Sequence, residues 1–206
     1  MAAAAWEWRG FVSWAGRIPL TQETLRLATL LGTAPPKPAK AEFDQYLLIP
    51  GVPHNFKLRN GALEAKRRVD EQGPPGFSLW EDKRVWGFPL AADHRAAFWQ
   101  LVQATDDARE IASIEVLMTS LQKSRQLQLV PVTKMRTRIA SGGVRLEVAD
   151  IEVPDVARLR SYCIDGYDPD EAAAVLERSG IAEGLSCASY PELMSSLFSS
   201  ATRSES

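Results

Sequence analysis

The sequence contains few of the residues on which several common chemistries depend. Its 206 residues include only two cysteines and two histidines. Two cysteines cannot build a disulfide framework, so we expect reduced thiols in a cytoplasmic protein. These four residues lack the spacing of a zinc site. No cysteine or serine has the neighbours of an activated nucleophile. The sequence therefore argues against disulfide-rich, zinc-binding and nucleophilic classes.

A surplus of one charge and long apolar runs are also absent. Lysine and arginine total 24, aspartate and glutamate total 26, and the formal net charge is -2. Binding to a nucleic-acid duplex depends on uncompensated lysine and arginine, so this balance makes it a poor candidate function. No run of about 18 apolar residues predicts a membrane span. The first residues, MAAAAWEWRGF, lack the basic and apolar regions of a secretory signal.

What is present is the composition of a globular domain, with 45% hydrophobic and 24% charged residues. Apolar residues alternate over 5–14, which predicts a first strand, and further strands are predicted over 42–50, 76–88, 127–140, 143–153 and 159–165. Helices are predicted over 21–31, 91–104, 106–124 and 169–179. Asp168 and Pro169 give the last helix a strong start, and Thr21 is the expected N-cap of the first.

The clearest local signal is Asn60-Gly61, between two strand-like runs within 54–69. This pair is preferred in two-residue type I′ hairpins, because both turn positions need a positive φ. A two-residue turn here predicts these cross-strand pairs: Arg59 with Ala62, Lys57 with Glu64, and Asn55 with Lys66. The alternation then separates an apolar face from a charged one.

Charged residues share one face of several predicted strands. They are Glu7 and Arg9; Glu42 and Asp44, which share their face with Tyr46; Lys57, Arg59, Glu64, Lys66 and Arg68; and Lys134, Arg136, Arg138, Arg145 and Glu147. For any single strand, a charged face is explained by an antiparallel sheet whose outer face is solvated. Taken together, faces rich in lysine and arginine within an acidic chain predict a sheet curled around a basic cavity, with helices outside. Such a cavity suits a small anion with several charges.

Six segments occur in a recognisable order. They are Ala5-Trp6-Glu7-Trp8-Arg9; Asp44-Gln45-Tyr46; Phe56-Lys57-Leu58-Arg59 with Leu63-Glu64-Ala65-Lys66; Lys134-Met135-Arg136-Thr137-Arg138; Arg145-Leu146-Glu147-Val148-Ala149-Asp150; and Cys163-Ile164-Asp165-Gly166. Over about residues 5 to 180 this order resembles the CYTH superfamily, the triphosphate tunnel metalloenzymes. Its members include inorganic, thiamine and RNA triphosphatases and class IV adenylate cyclases. The family's first Glu is replaced here by Ala5, its Lys by Arg9, and one late acid by Cys163.

The resemblance implies an α+β fold, with a closed antiparallel barrel of about eight strands forming a tunnel and helices packed outside. It implies one tunnel-barrel domain over 1–199, and the polar end at 200–206 is predicted to be disordered. The phosphate-binding residues would be Arg9, Lys57, Arg59, Lys66, Lys134, Arg136 and Arg138. A Mg²⁺ or Mn²⁺ ion would be held by Glu7, Glu147 and Asp165, since such ions take oxygen ligands.

The resemblance further implies that the protein binds a triphosphate or organic polyphosphate and hydrolyses it with the divalent metal. Because two family carboxylates are missing, at Ala5 and Cys163, the alternative is a non-catalytic polyphosphate- or nucleotide-binding protein with a decayed metal site. Nucleotide cyclisation ranks lower, since no adenine-reading signature is present. A structural domain with merely solvated charges is the remaining hypothesis. The expected partner is a small anionic phosphate ligand, and an outer face bearing Trp and Leu would suit a homodimer.

Overall fold

The computed structural model describes residues 4–69, 72–105, 109–122 and 127–201. Residues 199–201 are described by their backbone alone. The chain divides into two compact units, and it passes between them several times. Unit 1 comprises Met1–Phe43, Val69–Glu81 and Val132–Ser189. Unit 2 comprises Asp44–Arg68, Asp82–Pro131 and Tyr190–Ser206. The single domain over 1–199 stays a prediction.

The described residues combine helices with antiparallel strands, which confirms the α+β class. The helices are α1 Leu20–Leu30, α2 Ala92–Leu101, α3 Ile114–Gln122, α4 Pro169–Ser179 and α5 Tyr190–Ala201. The strands are β1 Ala4–Ser13, β2 Lys40–Leu48, β3 Asn55–Arg59, β4 Ala62–Lys66, β5 Arg68–Val69, β6 Phe77–Glu81, β7 Arg84–Gly87, β8 Gln128–Ser141, β9 Val144–Val153, β10 Ala157–Gly166 and β11 Ser186–Cys187. No helix in these ranges has the length and hydropathy needed to cross a bilayer.

Unit 1 is built on an antiparallel sheet with the strand order β6-β1-β10-β9-β8, and β11 pairs with β1. One face of this sheet is apolar, and α1 and α4 cover it with a core that includes Leu27, Leu146, Ile164 and Val175. The other face carries a cluster of charged residues: Glu7 and Arg9 of β1, Lys134, Arg136 and Arg138 of β8, Arg145 and Glu147 of β9, and Asp165 of β10. The strand order within the unit is open, so the predicted closed barrel is not confirmed.

The start and end of α4 follow from local sequence. The Asp168 side chain accepts hydrogen bonds from the N–H groups of Asp170, at 2.9 Å, and Glu171, at 3.2 Å. Pro169 opens the helix, and Gly180 ends it with a φ of 63°. The capping prediction for α1 is wrong, since α1 begins at Leu20 after Pro19 with no side-chain cap. The backbone of Pro19 instead accepts the Glu23 N–H.

Unit 2 contains part of β2 with β3, β4 and β7, paired in that order. The predicted hairpin register is confirmed, since Lys57 lies opposite Glu64 and Asn55 opposite Lys66. The apolar face packs on α2 and α3. Phe56 meets Phe98 edge-on at a centroid distance of 5.4 Å. Aromatic pairs of this kind add to the stabilisation from burial.

Two predicted segments extend beyond what the structure describes. The helix predicted over 106–124 corresponds to α3, and residues 106–108 and 123–126 lie outside the described residues. The predicted disordered tail begins too early, because α5 continues to Ala201. Residues 202–206 lie outside the described residues.

The turn between β3 and β4 gives a direct test of local backbone preference. Gly61 has a φ of 75°, and a Cβ added there would have no neighbour within 4 Å. We expect Gly61→Ala to lower the free energy of unfolding by about 1 kcal/mol, because an L-residue is strained in the left-handed region. Urea unfolding measures the loss. Gly87→Ala is the control: that site is equally open but not left-handed, and an equal loss there would contradict the explanation.

Candidate functional site

The charged face of the unit 1 sheet brings together acids and bases from five strands. We call this group the unit-1 cluster; its members are Glu7, Arg9, Glu42, Lys134, Arg136, Arg138, Arg145, Glu147 and Asp165. Strand register explains the grouping. Glu7 lies opposite Asp165 and Asp165 opposite Arg145. Likewise Glu147 lies opposite Arg138. The predicted alternation on β1, β8 and β9 is confirmed by these pairs.

Glu147 is the central acid of the unit-1 cluster. Its Oε2 accepts hydrogen bonds from Arg136 Nη1 at 2.9 Å and from Arg138 Nε at 3.0 Å. Its Oε1 lies 3.9 Å from Arg9 Nη1. Burial alone would raise the pKa of Glu147 above its usual 4.5, but nearby cations outweigh burial and hold the pKa at about 2. The cations responsible are Arg9, Arg136, Arg138 and Lys134.

Arg9 lies between two acids. Its Nε donates to Glu7 Oε1 at 3.1 Å, and its Nη1 donates to Ser161 Oγ at 3.0 Å. The side chain is only 10% exposed. Arg9 is therefore a largely buried cation whose guanidinium is held by an acid of its own strand and by Ser161 of β10.

The remaining members of the unit-1 cluster are paired in the same way. Arg145 donates two hydrogen bonds to Asp165 Oδ2, at 3.0 and 2.8 Å. Arg136 also donates to Glu42 through Nη2. Beneath them Cys163 is buried, and burial raises the pKa of its thiol well above the usual value. Cys163 is thus a neutral thiol rather than a thiolate ligand or nucleophile.

Unit 2 holds a second group of opposed charges, the unit-2 cluster, made of Asp44, Lys57, Arg59, Glu64 and Lys83. Arg59 forms a bidentate pair with the fully buried Asp44, at 2.6 and 2.8 Å. Lys57 Nζ lies 3.6 Å from Asp44 Oδ2 and 3.2 Å from Glu64 Oε2.

Lys83 donates to the other Glu64 oxygen, at 3.0 Å. Burial would raise the pKa of Glu64, but Lys57 and Lys83 outweigh burial and lower it. Glu64 is therefore an ionised acid that two lysines share, and the unit-2 cluster pairs three cations with two acids.

The predicted phosphate-binding residues are divided between the two units. Arg9, Lys134, Arg136 and Arg138 come together in unit 1. Lys57, Arg59 and Lys66 share one face of the β3–β4 hairpin in unit 2. The convergence of all seven on one cavity stays a prediction. The structure also adds a feature that the predicted list lacked, because most of these bases are matched to buried acids.

The predicted metal ligands do not fit a divalent cation. Glu7, Glu147 and Asp165 each accept hydrogen bonds from arginine side chains. Those guanidinium groups occupy carboxylate lone pairs and would repel a metal ion. Across the described ranges, no group of three or more His, Cys, Asp or Glu side chains is placed to hold a metal. The Mg²⁺ or Mn²⁺ site that the resemblance implies stays a prediction, and the contacts of these three carboxylates argue against it.

Sequence reasoning missed a buried network on the opposite face of the unit 1 sheet. Arg160, only 1% exposed, donates to both oxygens of Asp150, at 2.7 and 3.1 Å, and to the Ile18 carbonyl. Nearby, Tyr162 donates to Glu23 at 3.1 Å. The signal was available, because alternation places Arg160 on an apolar face, where an arginine needs an acid. This network fastens α1 to the sheet and lies away from the unit-1 cluster.

Comparisons with known proteins give structural similarity only. No protein-family model and no curated protein matches the chain. A Pyrococcus horikoshii OT3 protein is 16% identical with a TM-score of 0.48, covering 91% of this chain and 98% of that chain. A Bacillus halodurans protein described as a candidate adenylate cyclase is 13% identical with a TM-score of 0.43, covering 85% and 89%.

A Vibrio parahaemolyticus protein with the same description is 10% identical with a TM-score of 0.46, covering 95% of this chain and 99% of that chain. All three TM-scores lie below 0.5. These similarities therefore assign neither an activity nor a residue role to this chain.

Proposed function

We propose that the protein binds a small, multiply charged phosphate anion, such as a polyphosphate chain, on the unit-1 cluster without a divalent metal ion. The observation that carries the proposal is the pair Arg138 and Arg145. Their side chains are 45% and 50% exposed, in contrast to the buried Arg9. Each is held in place by an acid: the buried Glu147 for Arg138 and the partly buried Asp165 for Arg145.

The two arginines are placed to act on one ligand. Arg138 lies opposite Glu147 and Ala140 lies opposite Arg145, so the two arginines are diagonal neighbours on one sheet face. Diagonal side chains in antiparallel sheets start roughly 7–8 Å apart, within reach of the same extended anion. This spacing suits adjacent phosphate groups of a chain better than a single charge.

Unused hydrogen-bond donors support the same function. Arg138 donates to Glu147 only through Nε, and Arg145 donates to Asp165 through Nε and Nη2. A guanidinium carries five N–H donors in a planar fork that matches phosphate oxygens. Within the described ranges, both arginines therefore have further N–H groups that can donate hydrogen bonds to phosphate oxygens.

The proposal covers binding rather than hydrolysis. Hydrolysis by the route that the resemblance implies needs a divalent ion, and the arginine-bound carboxylates do not fit one. The non-catalytic alternative from the sequence is thus favoured by the contacts of Glu7, Glu147 and Asp165. A nucleotide would present the same phosphate chemistry, and comparing tripolyphosphate with a nucleoside triphosphate distinguishes the two ligands.

Titration calorimetry with tripolyphosphate in the presence of EDTA tests the proposal. We expect measurable binding by the wild-type protein and about a tenfold weaker affinity for Arg138→Ala, since a charge-assisted hydrogen bond contributes about 1.5–3 kcal/mol. Arg158→Ala is the control, because Arg158 pairs with Glu152 on the opposite sheet face. Absence of binding in EDTA would overturn the proposal. Phosphate release with Mg²⁺ would favour the hydrolase hypothesis.

A further inference from the structure

Arg9 lies at the centre of the unit-1 cluster, between two of its acids. Three strands meet there in one row, with Arg9 of β1 opposite Cys163 of β10, and Cys163 opposite Glu147 of β9. Cys163 has a neutral thiol, so it adds no charge between the two. Arg9 is consequently the cation that faces the acids from the β1 side of this row.

The contacts of Arg9 reach two separate carboxylates. Its Nε donates to Glu7 at 3.1 Å, and its Nη1 lies 3.9 Å from Glu147. The hydrogen bond to Ser161 Oγ, at 3.0 Å, fixes the plane of the guanidinium. A cation that joins two carboxylates and is held by a third group performs the electrostatic role of a bound metal ion.

We propose that the Arg9 guanidinium is a built-in cation that joins Glu7 and Glu147 and thereby excludes divalent metal ions from the unit-1 cluster. Arginine stays charged at any physiological pH, so this cation is permanent. A metal ion at Glu7 would lie within a few ångströms of the Arg9 charge and would be repelled. Arg9 replaces the lysine in the segment that resembles the family, and its fork has donors for both Glu7 and Ser161.

The consequence for ligand binding rests on the proposed function. If the cluster binds polyphosphate, Arg9 makes that binding independent of Mg²⁺ and Mn²⁺. The exclusion of metal ions itself needs no phosphate ligand, so it is measured on the protein alone. The two proposals therefore fail separately: polyphosphate binding is judged by calorimetry, and metal exclusion by direct titration of Mn²⁺.

The test is a Mn²⁺ titration of the full chain followed by electron paramagnetic resonance, which detects free Mn²⁺. Arg9→Gln removes the charge but keeps an N–H donor, and it leaves the Glu7 and Glu147 carboxylates without their shared cation. We expect Mn²⁺ to bind Arg9→Gln at least about tenfold more tightly than it binds the wild-type protein. Arg9→Lys retains the charge and is expected to behave like the wild type.

The control for a freed carboxylate elsewhere is Arg158→Ala, which leaves the exposed Glu152 without its 3.0 Å partner. No tighter Mn²⁺ binding is expected there. Equal Mn²⁺ affinity of Arg9→Gln and the wild type overturns the proposal, and so does equal gain by Arg9→Lys and Arg9→Gln. If Arg9→Gln does not fold, the wild-type titration decides: saturable Mn²⁺ binding that Glu7→Gln abolishes contradicts metal exclusion, and its absence supports it.

Discussion

Replacing Glu147 with glutamine is expected to lower the free energy of unfolding by about 3 kcal/mol at neutral pH. The carboxylate accepts hydrogen bonds from Arg136 and Arg138 and lies near Arg9. Glutamine has almost the same shape but no charge. Arg9 and Arg136, both largely buried, and the half-exposed Arg138 would then lack their central acid, and a buried charge that loses a partner is strongly destabilising.

The pH dependence of stability follows from the same group. The folded pKa of Glu147, about 2, lies below its usual value of 4.5. A depressed folded pKa stabilises the protein above the unfolded pKa, and that stabilisation is lost as pH falls through the folded value. The contribution of Glu147 is therefore full above about pH 4.5 and disappears as the pH falls to about 2. Glu147→Gln should remove this part of the acid sensitivity.

Chemical unfolding at pH 7 and over the acid range measures both effects. Glu152→Gln is the matched control, because Glu152 lies on the same strand but is half exposed and has one arginine partner at 3.0 Å. Exposed pairs contribute about 0–1 kcal/mol, so little change is expected there. Equal losses of unfolding free energy for the two variants would show that Glu147, despite its central position, contributes no more to stability than an exposed acid does.

Local elements of the fold were accessible from the sequence because their causes are local. Asn60-Gly61 specifies a turn of positive φ, and that turn alone determines which residues of β3 and β4 face each other. The Asp168-Pro169 start and the Gly180 end of α4 belong to the same kind of signal. Where the start of α1 depends on Pro19 rather than on a side-chain cap, the prediction of Thr21 was wrong.

The membership of the unit-1 cluster was also accessible, since alternation assigns Glu7, Arg9, Arg138 and Glu147 to charged faces. The pairing of these charges was not accessible. Which acid meets which base depends on the order of β1, β10, β9 and β8, and residues far apart in sequence decide that order. A list of lysines and arginines therefore suggested a basic cavity, whereas the structure shows cations already matched to acids.

The corresponding test in unit 2 is Asp44→Ala, which we expect to lower the free energy of unfolding by about 3–5 kcal/mol. Asp44 is fully buried and is bidentate with Arg59, at 2.6 and 2.8 Å, while Lys57 lies 3.6 Å away. Removing the carboxylate leaves both cations, each largely buried, without their common partner. Thermal and urea unfolding measure the loss.

Asp93→Ala is the control in unit 2, because that aspartate is 81% exposed and lies 3.8 Å from His94. A change near zero is expected there. A loss of stability for Asp44→Ala no larger than that for Asp93→Ala would contradict a large contribution of the Asp44–Arg59 pair to folding. Asp44→Asn separates charge from packing, since it keeps the side-chain volume and should lose most of the same stability.

Added anion gives Asp44→Ala a second readout that connects stability with ligand chemistry. Lys57 and Arg59 belong to the predicted phosphate-binding set, so we expect tripolyphosphate oxygens to take the place of the missing carboxylate. A ligand that binds the folded state raises its stability, so tripolyphosphate should raise the melting temperature of Asp44→Ala more than that of the wild type. In the wild-type protein the buried Asp44 carboxylate already occupies these donors. An equal or smaller rise in the variant would show that the acid serves the fold without limiting access of an anion to these cations.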